Sequence, residues 1–83
     1  MLDTEIKNDI VFKVHTEPHL VTEVELVLLI LHGKQTYYSG NEEFTDHFYD
    51  GLEILLKKIN PDHPVLGMVG WSEEAEKAIL EQL

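Results

Sequence analysis

The stretch that decides the fold is Leu20–Lys34, LVTEVELVLLILHGK, because its apolar residues fit two kinds of secondary structure. As a strand it alternates between two faces, one carrying Thr22, Val24, Leu26, Leu28 and Ile30, the other Glu23, Glu25, Val27, Leu29 and Leu31. As a helix capped by Thr16, with Pro18 in its first turn, it forms the stripe Leu20, Val24, Val27, Leu28 and Leu31. We favour the strand because a hairpin signal follows, with His32-Gly33 or Gly33-Lys34 as a two-residue turn.

The segments on either side of this stretch support the same interpretation. Upstream, DIVFKVHTE places Ile10, Phe12 and Val14 on one face, and this period of two predicts a first strand. Downstream, Tyr37 and Tyr38 in QTYYS suit a third strand.

Two helices are predicted after the strands. Apolar residues recur every three or four positions from about Asn41, at Phe44, Phe48, Leu52, Leu55 and Ile59. Asn41 is a plausible cap for this helix, and Gly51 inside it would admit a closely packed neighbour. Ser72 is expected to cap a final helix, WSEEAEKAILEQL.

The predicted fold class is therefore a small α+β domain spanning residues 1–83, with a three-stranded antiparallel sheet followed by two helices. A single layer of helix covers only one face of such a sheet. The other face of the second strand would carry Val27, Leu29 and Leu31. Because these side chains need cover, the pattern predicts a dimer interface at that face.

Charge is the strongest compositional signal. Sixteen acidic residues oppose six lysines, there is no arginine, and the formal net charge is −10. This balance disfavours direct binding to nucleic acid or to an anionic membrane surface, since both require clustered cations. The chain starts without a signal-peptide pattern, and its longest apolar run, Val27–Leu31, is too short to span a bilayer, so we expect a cytoplasmic protein.

Motifs for metal binding and catalysis are weak. DHFYDG resembles the start of a calcium loop but has Phe48 and Lys57 where ligands belong. The five histidines are scattered, and there is no cysteine to complete a zinc site. The cluster of Glu43, Asp46, His47 and Asp50 is expected to be solvated and unsuited to proton transfer. The sequence thus predicts no catalytic residue, no metal and no cofactor.

The functional prediction rests on an acidic ridge along the long helix. Glu43, Asp46, Asp50 and Glu53 step by three, four and three residues, with Tyr49 beside them as an aromatic anchor. We expect a non-enzymatic, inhibitor-type binding protein that docks on a basic protein surface, such as a nucleic-acid-binding site or a toxin. Such small acidic chains are typical of bacterial or phage accessory proteins.

Two alternatives remain open at this point. In the first, the protein is a structural or assembly protein that homodimerises through its apolar sheet face, and its charge serves solubility only. In the second, Met68, Trp71 and the glycine-flanked segment between them bind a small ligand.

Overall fold

The computed structural model describes residues 2–83 and shows four α-helices. They are α1 (Thr4–Thr16), α2 (Glu23–Tyr38), α3 (Asp46–Ile59) and α4 (Glu73–Leu80), with short 3-10 turns at Pro18–Leu20 and Pro64–Gly67. Residues 2–83 contain no β-strand. The predicted α+β class, with its three-stranded antiparallel sheet, is therefore wrong.

The decisive stretch forms α2 because its start carries a complete capping box. The Thr22 hydroxyl accepts a hydrogen bond from the backbone N–H of Glu25 at 3.2 Å, and the Glu25 carboxylate accepts one from the N–H of Thr22 at 2.9 Å. This reciprocal pair satisfies two N–H groups that a helix start otherwise leaves unpaired. The helix begins at this box, not at Thr16 or Pro18.

The apolar residues of α2 are buried on nearly all sides, at Leu26, Val27, Leu29, Ile30 and Leu31. A helix that is apolar all round is stable only at the centre of a protein, and α2 takes that place between the other helices. Val27, Leu29 and Leu31, predicted to lie on an open sheet face, are 0%, 0% and 2% exposed. The dimer surface predicted from them does not exist, because these side chains form the core.

The segment predicted as the first strand belongs to α1. The Asp3 carboxylate caps this helix by accepting from the N–H of Glu5 at 2.8 Å. Ile10 is buried and Val14 packs beside the core, whereas Phe12 is 68% exposed. Residues four apart share a face in both a helix and a strand, so the packing of Ile10 and Val14 fits either structure. Residues two apart share a face only in a strand, so the exposure of Phe12 distinguishes the helix from the strand.

The predicted hairpin turn and third strand are the second half of α2. Gly33 lies inside the helix, which ends at Tyr38, and Gly40 follows the C-cap residue Ser39 with a φ of 83°. The N–H of Gly40 bonds the Tyr37 carbonyl at 3.1 Å, and the N–H of Asn41 bonds the Thr36 carbonyl at 2.8 Å. This is a Schellman motif, which requires the left-handed conformation that glycine adopts without strain.

The two predicted helices are present. The first begins later than predicted, at Asp46, because Thr45 is its cap and accepts from the N–H of Phe48 at 3.1 Å. It buries Leu52 and Leu56 against α2. Ser72 caps α4 as predicted, accepting from the N–H of Ala75 at 3.1 Å.

An ion pair joins α1 to the start of α2. Lys13 Nζ lies 2.8 Å from the Glu25 carboxylate, the same group that completes the capping box. Burial raises the pKa of Glu25, but hydrogen bonds from Lys13 and from the backbone of Thr22 outweigh burial and hold that pKa below its ordinary value.

Within the described residues, no helix combines the length and apolar character that crossing a membrane requires.

Candidate functional site: an acidic face and an aromatic cleft

The acidic face consists of Asp46, Asp50 and Glu53 on α3, together with Glu42 in the loop before it. On α3 these residues are four and three positions apart, so their carboxylates lie along one side of the helix. Asp46, Asp50 and Glu42 are exposed, and Glu53 is half-buried. Among residues 2–83, no lysine or histidine forms an ion pair with any of the four.

Glu43, predicted to belong to the acidic ridge, has a different environment. One of its carboxylate oxygens accepts from Lys7 Nζ on α1, and the other pairs with His32 Nε2 on α2. The hydrogen bonds from Lys7 and then His32 hold the pKa of Glu43 below its ordinary value. Glu43 therefore ties the loop before α3 to the two preceding helices, and its charge is matched within the chain.

Tyr49, predicted as an exposed anchor, packs against α2. A Cβ placed on Gly33 would lie 2.9 Å from Cδ1 of the Tyr49 ring, closer than real Cβ contacts. The Tyr49 hydroxyl is buried and has no hydrogen-bond partner among residues 2–83. Burial, followed by the charges of Glu53 and Asp50, raises the pKa of Tyr49. The Tyr49 ring thus lines the site and does not project from the surface as an anchor.

A cleft of about 530 Å³ lies between the C-terminal end of α2 and the start of α3. Its lining combines aromatic rings with charged groups, contributed by Gly33, Lys34, Tyr37, Tyr38, Glu42, Phe44, Asp46, Tyr49 and Gly70. Tyr37 and Tyr38 are 70% and 68% exposed, so much of each ring is open to solvent at the cleft. Glu42 and Asp46 belong both to the cleft and to the acidic face, so the two features are continuous.

Ring contacts hold the α3 side of the cleft in place. The rings of Phe44 and Phe48 meet edge to face with centroids 5.0 Å apart, and Phe44 also contacts the His32 ring at 5.6 Å. His15 of α1 stacks on Phe48 at 5.1 Å. These ring contacts and the Glu43 ion pairs hold the loop that carries Glu42 against α1 and α2. The position of Glu42 in the cleft lining is therefore supported by contacts with the rest of the fold.

One cation is already present at the cleft. Lys34 Nζ donates to the Met68 carbonyl at 3.0 Å and lies 5.7 Å from the centroid of the Tyr49 ring. That separation is within cation–π range, so the aromatic wall stabilises a positive charge.

Sequence reasoning predicted Asp46 and Tyr49 as site residues but missed the rest of the cleft lining: Gly33 and Lys34 were assigned to a turn, and Tyr37 and Tyr38 to a strand. A glycine inside a helical pattern was not a sufficient signal, because Gly51 fits the same pattern and a Cβ there meets no atom within 4 Å among residues 2–83.

The groups of this site attract cations: carboxylates bind positive charge directly, and aromatic rings bind it over their faces. Among residues 2–83, no group of three histidine, aspartate or glutamate side chains is arranged to hold a metal ion.

Comparisons with known proteins add one partial likeness. No protein family and no solved structure matches this chain. A protein named DNA ligase from Sorangium cellulosum (strain So ce56) is 39% identical over 56 residues, which is 66% of this chain and 8% of the ligase. The chain therefore resembles one short segment of a much longer protein.

Proposed function

We propose that the protein is a non-enzymatic binding protein whose acidic face docks on a basic surface of another protein. The observation that carries this proposal is the environment of Asp46 and Asp50. Both carboxylates are exposed, lie one helical turn apart, and have no cationic partner among residues 2–83. By contrast, Glu43 and Glu25 are paired with lysines of the same chain.

Leaving these charges together has a cost that a partner can offset. Like charges four residues apart destabilise a helix by about 0.2–0.5 kcal/mol per pair. The nearest lysines of the same helix, Lys57 and Lys58, follow Asp50 by two turns, roughly 10 Å along the axis. A basic partner would relieve this repulsion, and the unscreened field of the face would speed its approach at low ionic strength.

DNA-binding enzymes are the first partner class to examine. Their nucleic-acid sites are basic, so an acidic helix face complements them in charge. A cationic toxin is the second class, and the same charge argument supports it.

The rival proposal is an assembly protein in which negative charge provides solubility only. Since Val27, Leu29 and Leu31 are in the core, such assembly would use apolar side chains that stay exposed. The exposed apolar residues of α1, the first 3-10 turn and the start of α2 are Ile6, Phe12, Leu20 and Val24. A dimer built on them would be lost in Phe12→Asp and kept when the acidic face is reversed.

The test compares two charge reversals with matched geometry. Asp46→Lys/Asp50→Lys reverses the acidic face, and Glu5→Lys/Asp9→Lys reverses two exposed carboxylates with the same spacing on α1. Each variant changes the formal net charge from −10 to −6, so general charge effects are equal. Quantitative affinity capture from a bacterial lysate at low salt should show proteins that the wild type and the α1 variant retain and the α3 variant loses. Equal capture by the two variants would refute the assignment of the docking face.

A further inference from the structure

We propose that the aromatic cleft receives an arginine side chain of the basic partner, so that the acidic face provides attraction and the cleft provides selectivity. This inference rests on the proposed docking function and names the chemistry of its central contact. It follows from two features of one cavity: exposed rings, and carboxylates that have no ion-pair partner among residues 2–83.

The lining provides chemical groups that bind a guanidinium. The exposed rings of Tyr37 and Tyr38 offer flat faces on which a planar cation stacks. The carboxylates of Glu42 and Asp46 lie in the same lining and can each accept two N–H bonds from a guanidinium. An ammonium group shares the charge but neither the plane nor the paired donors.

Lys34 does not fill this role itself. Its Nζ is already bonded to the Met68 carbonyl and lies over Tyr49, whereas Glu42 and Asp46 have no ion-pair partner among residues 2–83. Two carboxylates and one ammonium leave the lining with a formal charge of −1. The cleft therefore holds one cation of its own and retains the charge to bind a second.

The occupant is a polypeptide and not a small cation. Asp46 lies in the cleft and also begins the acidic face, which continues along α3 through Asp50 and Glu53. A ligand that fills the cleft is thus directed along a row of further carboxylates, and only a chain with several cations matches that row. The cleft volume of about 530 Å³ exceeds what one side chain fills and leaves room for the adjoining backbone.

The test uses two capped peptides that differ only in their cation, acetyl-Ala-Arg-Ala-Arg-Ala-amide and its lysine counterpart. Binding is followed by two-dimensional NMR of the tyrosine and phenylalanine rings and by fluorescence of Trp71. Trp71 suits this purpose because it is the single tryptophan and its ring lies 5.8 Å from that of Tyr38. Free arginine amide is the third probe.

The expected result is a shift of the Tyr37, Tyr38 and Phe44 ring signals by the arginine peptide. That peptide should bind about two- to fivefold more tightly than the lysine peptide, the ratio that one exposed cation–π contact provides. Tyr37→Ala/Tyr38→Ala should remove the preference for arginine. Phe12→Ala, which deletes an equally exposed ring on α1, should retain it.

The remaining outcomes separate the cleft from the docking face. Equal binding of both peptides without ring shifts, alongside capture that still depends on Asp46 and Asp50, would overturn the cleft proposal and leave the docking function standing. Arginine amide binding as tightly as the peptide would overturn the polypeptide occupant. Loss of both peptide binding and acidic-face-dependent capture would overturn the two proposals together.

Discussion

The ring of Tyr49 lies directly on the backbone of Gly33, so that a single added methyl group at position 33 would sit 2.9 Å from Cδ1 of that ring. This contact sets the separation of α2 and α3 at the cleft. It also explains a glycine in the middle of the central helix, where alanine would otherwise be preferred by about 1 kcal/mol.

Gly33→Ala should destabilise the protein. The new Cβ must displace the Tyr49 ring and, at 3.1 Å, a ring carbon of Phe44. Overpacking of this kind costs about 1–3 kcal/mol, which the gain in helix propensity offsets only in part. Urea denaturation followed by circular dichroism measures the change. A variant more stable than the wild type would show that the two helices do not meet at this point.

Gly51→Ala should have the opposite effect. Gly51 lies inside α3, and a Cβ there meets no atom within 4 Å among the described residues. The sequence-based prediction that Gly51 admits a close neighbour is therefore wrong. Removing the backbone freedom of glycine should raise the free energy of unfolding by up to about 1 kcal/mol. A loss of stability in the same urea experiment would contradict the open space that the structure shows beside Gly51.

Leu29→Asp should unfold the protein. Had Leu29 been on the open face of a sheet, as the sequence pattern predicted, the substitution would dissociate a dimer into folded monomers. Leu29 is fully buried in α2, so an aspartate there would place an unpaired carboxylate in the core. Circular dichroism should show loss of helix at neutral pH. A helical monomer by light scattering would instead support the open apolar face that the structure lacks.

Stability should fall in acid partly through Glu43. The pKa of this carboxyl is lowered in the folded protein from an ordinary value of 4.5, first by Lys7 and then by His32. Its contribution is therefore fully present above pH 4.5 and is lost as the pH falls through the lowered folded value. Glu43→Gln should flatten the pH dependence of unfolding below pH 4.5, measured by urea titration at several pH values.

The matched control for this pH experiment is the neighbouring residue. Glu42→Gln removes an exposed carboxylate of the same loop that forms no ion pair among residues 2–83. Equal effects of the two substitutions on the acid limb would contradict the role assigned to the Lys7–Glu43–His32 cluster.

Local sequence patterns predicted α3 and α4 but not α1 and α2. The residues of α3 are amphipathic: Leu52 and Leu55 both face the core, and residues three apart share a face in a helix but not in a strand. In α2 the apolar residues surround the helix, so their order fits a buried strand as well as a buried helix. The deciding signal was local: Thr22 and Glu25 form a capping box immediately before the apolar run.

The sequence predicted the candidate site only where its residues belong to a single helix. The spacing of Asp46 and Asp50 is a property of one helix, and the structure leaves both exposed. The pairing of Glu43 with Lys7 crosses 36 residues, and no periodicity within α3 indicates it. The cleft likewise lies between the end of α2 and the start of α3. It could not be predicted while residues 33–38 were assigned to a turn and a strand.

The most direct test of the central claim is the salt dependence of binding to a captured partner. Association and dissociation rates are measured by surface plasmon resonance from low to high sodium chloride for the wild type, Asp46→Asn/Asp50→Asn and Glu5→Gln/Asp9→Asn. We expect the wild-type association rate to fall by about tenfold or more as salt rises, with a clearly smaller decrease for the α3 variant alone. The same salt dependence in all three proteins would contradict docking through the acidic face.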